Sequence, residues 1–299
     1  MENKEIREKL IGLAVMNIFN SKQLSAIANE LITDSPLSLE EIIWFRNVIK
    51  KEANIRQLKE KIAIFDKEKN REDLMKKYQE ADIHFCTIVD EDYPLSLKET
   101  YLPPAVLFYQ GNWKLTKRRR LGIVGSRKST EYGERVLTKI MPPLVQRNVT
   151  TISGLAAGID QQVHSQTMRL GGDTIAVIGT GIDQHYPKNH IYLQQKIGRE
   201  QLLISEYPLG VPPAKYHFPM RNRIIAGLSH GTLVIEAQER SGSLITANLA
   251  LQENREVFAV PGSILSSGSK GTNQLIQAGA KLVLDVEDIF DELRELWLL

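Results

Sequence analysis

The sequence predicts an α/β chain: a Rossmann-like, mostly parallel sheet with helices on both faces, preceded by a small all-α N-terminal domain. Two patterns carry this prediction. From Leu121 onward, strand-like runs at Leu121–Val124, Val149–Ile152, Thr174–Ile178, Leu202–Ser205, Thr232–Ile235, Val257–Val260 and Leu282–Leu284 alternate with helical patterns, the signature of right-handed βαβ crossovers. Before Ala81 the pattern is helical, with no glycine after Gly12 and a single proline, so the chain divides into domains at 1–80 and 81–299. At 299 residues with 42% hydrophobic content, it can bury cores for both.

The first domain carries Ile42, Ile43, Phe45 and Ile49 at helical spacing. Its 15 Lys/Arg and 14 Asp/Glu are interleaved, which suits solvated helix faces better than a nucleic-acid surface, and no chemistry is assigned to it. The second domain opens with two short β-rich runs, His84–Val89 and Ala105–Tyr109, separated by the turn-rich stretch Asp90–Pro104. It closes with an amphipathic helix over Asp285–Leu299, with Val286, Ile289, Phe290, Leu293 and Leu296 on one side.

Bulk charge selects no partner, because 38 basic and 36 acidic side chains leave a net charge of only +2. Cys86 is alone, so an intrachain disulfide and a cysteine-based zinc site are excluded, and core packing is its expected role. The N-terminus MENKEIREKL is too charged for a signal peptide, and no apolar run approaches the ~20 residues a membrane helix needs. A cytoplasmic protein with no membrane insertion is expected.

In a parallel sheet, ligands bind beyond the carboxyl ends of the strands. Three strand-to-helix turns there are rich in small residues: Gly125-Ser126-Arg127 onward to Gly133, Ser153-Gly154 onward through Gly158 to Asp160, and Gly179 to Asp183. Together they offer backbone N–H donors for phosphates, and Arg127 can clamp one. A basic loop then feeds a helix over Tyr216–Ser229, with Pro219 in the first turn and Ile224, Ile225 and Leu228 facing the core. The triplet Arg221-Asn222-Arg223 lies near its N-terminus, where free N–H groups and guanidinium groups suit an anion. Two windows free of Asp and Glu, Tyr101–Thr130 and Tyr207–Ile235, hold Lys114, Lys117, Arg118, Arg119, Arg120, Arg127 and Lys128 in one and Lys215, Arg221 and Arg223 in the other. Such windows suit a polyanion. Phe218 among them either stacks a base or belongs to the core.

Several chemistries are disfavoured. Arg127 stands where a dinucleotide fingerprint places its second glycine, and Gly268-Ser269-Lys270-Gly271-Thr272 breaks the order of a Walker A loop. His185 and His190 near Asp183 suit hydrogen-bonded structure better than metal ligation. Asp160 and His164, at i and i+4, form either an acid–base pair or a loop-steadying helix start. Ser241-Gly242-Ser243 reads as a helix N-cap rather than a nucleophile. No catalytic residue, metal or cofactor is assigned.

The ordered motifs VGSR at Val124–Arg127, SGLAAGID with His164, GTGID before Tyr186-Pro187, SEYPLG at Ser205–Gly210, FPMRNRIIAGLS, EAQERSGSLITA at Glu236–Ala247 and REVFAVPG at Arg255–Gly262 resemble the DprA/Smf family of DNA-processing proteins. The resemblance covers about residues 80–285. It implies an extended Rossmann-like DNA-binding domain, a SAM-like N-terminal domain, homodimerisation, binding of single-stranded DNA, and partnership with RecA and single-strand-binding protein during natural transformation. By the same resemblance Arg127, Lys188, Lys215 and Arg221 would hold phosphates, Phe218 would contact a base, and Gly154 and Gly158 would present backbone donors. A C-terminal winged-helix domain found in many relatives is not expected after Leu299. The rival expectation is a Rossmann-like enzyme that binds nucleotides or hydrolyses nucleoside monophosphates.

Overall fold

The computed structural model describes residues 3–33 and 68–298; the expected helix around Ile42–Ile49 lies outside them. Two helices begin the chain, α1 (Asn3–Val15) and α2 (Ser21–Ile32). Their corner is fixed by a capping box in which Asn20 accepts from Gln23 N and Gln23 returns a bond to Asn20 N, both at 3.0 Å. A third helix, α3 (Glu68–Glu80), leads into the sheet.

The remaining elements are β1 (His84–Thr87), α4 (Leu95–Lys98), β2 (Val106–Gly111), β3 (Arg120–Val124), α5 (Glu131–Gln146), β4 (Thr150–Ser153), α6 (Ile159–Arg169), β5 (Thr174–Ile178), α7 (Ile191–Glu200), β6 (Leu202–Ser205), α8 (His217–Leu228), β7 (Gly231–Val234), α9 (Gly242–Gln252), β8 (Glu256–Ala259), α10 (Lys270–Gln277), β9 (Lys281–Leu282) and α11 (Glu287–Leu298). Among the described residues, nine strands join one sheet in the order β1-β2-β6-β5-β4-β3-β7-β8-β9. β1–β2 and β2–β6 are antiparallel and the other pairs parallel, so a hairpin extends one edge of a doubly wound, Rossmann-like sheet. The strand order reverses at β3, flanked by β4 and β7, which makes this the topological switch point of the sheet.

Alternation along each strand divides the core between the two faces of the sheet. On β3, Leu121 and Ile123 pack with Leu137, Ile140 and Leu144 of α5 and with Ile289, Leu293 and Trp297 of α11. Val124 faces the opposite cluster, which includes Ile224, Ile225 and Leu228 of α8. In α11 the buried positions step by four, Ile289, Leu293 and Trp297, whereas Leu296 is 47% exposed; the expected stripe is corrected by one residue at its end because the indole carries the larger apolar surface. The Trp297 ring also donates from Nε1 to His230 Nδ1 at 3.1 Å.

The N-terminal helices rest on the hairpin edge. Arg7 donates from Nε to Asp90 Oδ1 at 2.9 Å, and Tyr78 stacks on Phe108 at 5.6 Å while its hydroxyl accepts from Leu209 N. Among the described residues, no helix is long and apolar enough to cross a membrane.

Candidate nucleic-acid interface

The turn after β3 and the turn after β4 are pressed together. Gly158 has φ +79°, in the left-handed region, and a Cβ there would collide with Ser126 O and the Arg127 carbonyl. This contact lets Ile159 N donate to Ser126 O at 3.1 Å, so the Gly125-Ser126-Arg127 turn is seated on the start of α6.

Beneath these turns lies Arg221, 4% exposed. Its Nη1 donates to Gly154 O and Val177 O, and its Nε to Asn222 Oδ1 at 3.0 Å. A side chain on Gly154 would occupy the space of this guanidinium. Asp160, also buried, accepts from Gly154 N at 3.1 Å and sets a negative charge against Arg221. Burial lowers Arg221 to about 10, with Asp160 opposing the shift, so the guanidinium stays charged at neutral pH. Burial raises the Asp160 carboxyl, against the pull of Arg221 and of hydrogen bonds from Ala156, Gly154 and Ser153.

Over this frame opens a cleft of about 600 Å³, lined by Gly125, Ser126, Arg127 and Lys128 after β3, by Tyr186, by Lys215, Phe218, Arg221 and Asn222, and by Ser241, Ser243 and Thr246 where α9 begins. Arg127, Lys128 and Lys215 are exposed. Phe218 is half-buried, its ring 5.2 Å from that of Tyr186, and the Arg127 guanidinium lies 5.6 Å from its centroid. Phe218 thus packs beside Tyr186 and borders the cleft.

Of the residues expected at the site, Gly125, Ser126, Arg127, Lys215, Phe218, Arg221 and Asn222 line this cleft. Gly154 borders a smaller hollow of about 150 Å³ beneath Tyr186 and Phe218. Gly158 sets the spacing of the turns, as described above. Four positions differ from expectation. Arg221 is engaged by carbonyls rather than open to a phosphate. Arg223 points elsewhere, its guanidinium donating to Glu206 and to Leu102 O. Ser153 is buried, its hydroxyl donating to Ile123 O at 2.7 Å. Lys188 is exposed but does not line the cleft. Charge counted along the chain does not separate a guanidinium that closes a core from one that meets solvent.

Asp160 and His164 are not an acid–base pair: His164 Nδ1 lies 2.7 Å from Thr174 Oγ1, while Asp160 serves the loop. Ser241 occupies the N-cap position of α9, yet its Oγ meets Ser243 Oγ at 2.8 Å and caps no N–H. Sequence reasoning passed over Glu236, 2% exposed, which accepts from Thr130 N at 3.0 Å and from the Thr130 hydroxyl. Its signal was a carboxylate directly after an apolar strand, where solvation was not available to it. Among the described residues, Cys86, Asp90 and Asp92 gather closely enough to hold a cation, but Asp90 is taken by Arg7 and Thr87 N, and burial raises the Cys86 thiol so that it stays protonated.

These features define a doubly wound α/β protein with a basic, aromatic-edged cleft at its topological switch point. The chain belongs to the family described as DNA recombination-mediator protein A, whose family model matches residues 84–294. It is 45% identical over 219 residues to the DNA processing protein DprA of Bacillus subtilis, covering 73% of this chain and 74% of that one. The X-ray structure of DNA processing protein A from Streptococcus pneumoniae is similar with a TM-score of 0.83 and 39% identity, over 98% of both chains. A structure of DNA processing protein A from Helicobacter pylori, described for its single-stranded DNA binding mode, is similar with a TM-score of 0.63 and 27% identity, over 71% of this chain and 96% of that one.

Proposed function

We propose that this chain binds single-stranded DNA in the switch-point cleft, without reading base sequence, and acts there as a non-catalytic mediator. The observation that carries this reading is the grouping of Arg127, Lys128 and Lys215 around the ring edge of Phe218 and Tyr186. Exposed cations neutralise phosphates, and an aromatic face accepts any unpaired base, a contact worth ~1–3 kcal/mol. A duplex hides its base faces, so the aromatic edge favours a single strand. The Helicobacter pylori relative, described for that binding mode, supports the same ligand here. Within this reading, family resemblance supplies the finer role: a cytoplasmic homodimer that protects incoming strands from single-strand-binding protein and loads RecA during natural transformation. The change of sequence pattern near Ala81 supports the division of the chain into domains at 1–80 and 81–299. The hydrolytic alternative gains nothing from Asp160, whose carboxylate is occupied by Gly154 N and faces Arg221.

Fluorescence anisotropy with labelled oligo(dT) and a duplex of equal length, across a salt titration, tests the proposal. Arg127→Ala and Lys215→Ala are each expected to weaken oligo(dT) binding and to reduce the salt slope by roughly 0.7 per lost phosphate contact. Phe218→Ala is expected to cost ~1–3 kcal/mol with the slope unchanged. Equal affinity for duplex and single strand, or unaltered binding in all three variants, would remove the cleft as the site.

A further inference from the structure

The segment from Ala214 to Asn222 is a wall with a cleft on either side. Lys215, Phe218 and Pro219 line the basic cleft at the switch point, while Ala214, Tyr216, His217 and Met220 line a second cleft of about 610 Å³. Phe19 and Leu24, from the α1–α2 corner, line the second cleft as well. The wall consists of the end of a loop and the first turns of α8, and a helix with its side chains is about 10–12 Å across. A single strand crosses that distance in a few nucleotides, so an occupant of the first cleft reaches the second without a break.

Tyr216 is the exposed ring of this wall, at 69%. It meets His217 edge-on at 4.5 Å, and His217 in turn stacks on Tyr207 at 4.0 Å. The buried pair supports the tyrosine from within, and a face of its ring stays open to solvent. Unpaired bases stack on such a face whatever their identity. Behind it, Phe19 and Met220 add apolar surface against which a base leaves water.

Charge decides what accompanies the base. Among the residues lining the second cleft, Lys22 and Glu206 carry full charges at neutral pH, because burial first lowers His217 below its ordinary value. The Glu206 side chain is 6% exposed and ion-paired with Arg223, so it presents no net charge to the cleft. Lys22 is exposed, in a first turn of α2 that holds no acid. The positive end of the α2 dipole adds to it. Lys215 on one side of the wall and Lys22 on the other thus flank an open aromatic ring, the order in which a single strand presents phosphate, base and phosphate.

We infer that a single strand held in the switch-point cleft continues over Tyr216 into the second cleft, where an unpaired base stacks on the Tyr216 ring and a neighbouring phosphate meets Lys22. This rests on the proposed DNA-binding function and extends its footprint to the N-terminal helices. Charge counted over residues 1–80 gives no sign of it, because one lysine at the α1–α2 corner is what meets the strand.

Anisotropy titrations with oligo(dT) of roughly 5 and roughly 20 nucleotides test the path, the lengths bracketing the 4–16 nucleotides that single-strand grooves occupy. Tyr216→Ala should weaken binding of the long oligonucleotide by about tenfold and leave the short one unchanged. Lys22→Ala should lower the salt slope by roughly 0.7 for the long one alone. Both residues are exposed, so folding is expected to survive in each variant. A long oligonucleotide with 5-iododeoxyuridine near one end or the other should photocrosslink to Tyr216, located by mass spectrometry of the peptides. If Arg127→Ala weakens both lengths while Tyr216→Ala and Lys22→Ala weaken neither, the inference is overturned and the first cleft stands. Equal weakening of both lengths by Tyr216→Ala also overturns it, because the ring would then belong to the first contact and not to a continuation. Binding of either length that is indifferent to Arg127→Ala and Lys215→Ala would remove the first cleft, and the continuation with it.

Discussion

The Arg221 guanidinium is out of water, and Asp160 is the charge that makes this tolerable. Removing one partner of a buried pair strands the other, at a cost of about 3–5 kcal/mol. Asp160→Ala is therefore expected to lose about that much in urea denaturation, while Asp160→Asn, which still accepts from Gly154 N, should lose less. Arg127→Ala should stay within about 0.5 kcal/mol of the parent, as exposed positions do. Equal destabilisation by Asp160→Ala and Arg127→Ala would mean that the buried pair is not what holds the β4 turn to α8. The contrast also shows what sequence reading could reach at this scale. Arg127, Lys215 and Phe218 stood out because acid-free windows surround them, and they do line the cleft. Arg221 and Arg223 stood in the same window, but their carbonyl and Glu206 partners come from 17 to 121 residues away in sequence. No local pattern records such partners.

Helix α5 is capped by Thr130, whose hydroxyl both accepts from Gly133 N at 3.4 Å and donates to Glu236. Glu236 thus ties the end of β7 to the start of α5, immediately beyond the Arg127 turn. Glu236→Ala removes the partner of Thr130 N and its hydroxyl, and is expected to cost roughly 1–3 kcal/mol in thermal unfolding. Oligo(dT) binding should weaken with it, since the turn from Gly125 to Thr130 loses its anchor; a stable variant with unchanged affinity would separate the anchor from the site. At this scale the strands among the described residues were legible, β9 only at Leu282, because β-branched runs between turn signals identify strands whatever their partners. The antiparallel pairing of β1 and β2 was not, since pairing direction depends on where a strand docks. Helix α8 was read as amphipathic, yet every residue from Arg221 to Leu228 is buried. Its polar residues mark internal partners instead of a solvent face.

Two histidines with large shifts lead the molecule's response to acid, with His217 shifted by burial in the same direction. His164 is fully buried, its Nε2 without a partner, and burial first, then Arg221 and His190, hold it down to about 3. His230 is held to about 4 by burial, then by Arg120 and Arg255, and its Nδ1 already accepts from Arg120 N and Trp297 Nε1, leaving no room for a proton. In the unfolded chain both would titrate near 6.5. Between that value and about 4 the unfolded state binds protons that the folded state refuses, so stability rises with pH across the window and is lost as pH falls through it. Each histidine contributes up to about 1.4 kcal/mol per pH unit once the unfolded form is protonated. Asp160 acts in the opposite sense, because its raised carboxyl takes a proton in the folded state first and offsets part of the loss. Urea midpoints between pH 7.5 and 4.5 should therefore fall steadily below about pH 6.5, before ordinary carboxylates titrate. His164→Gln should reduce that slope by about one proton, whatever it does to stability at neutral pH. Parallel curves for parent and variant would show that His164 takes up its proton while folded, and the neutral imidazole packed between β5 and α6 would have to be abandoned.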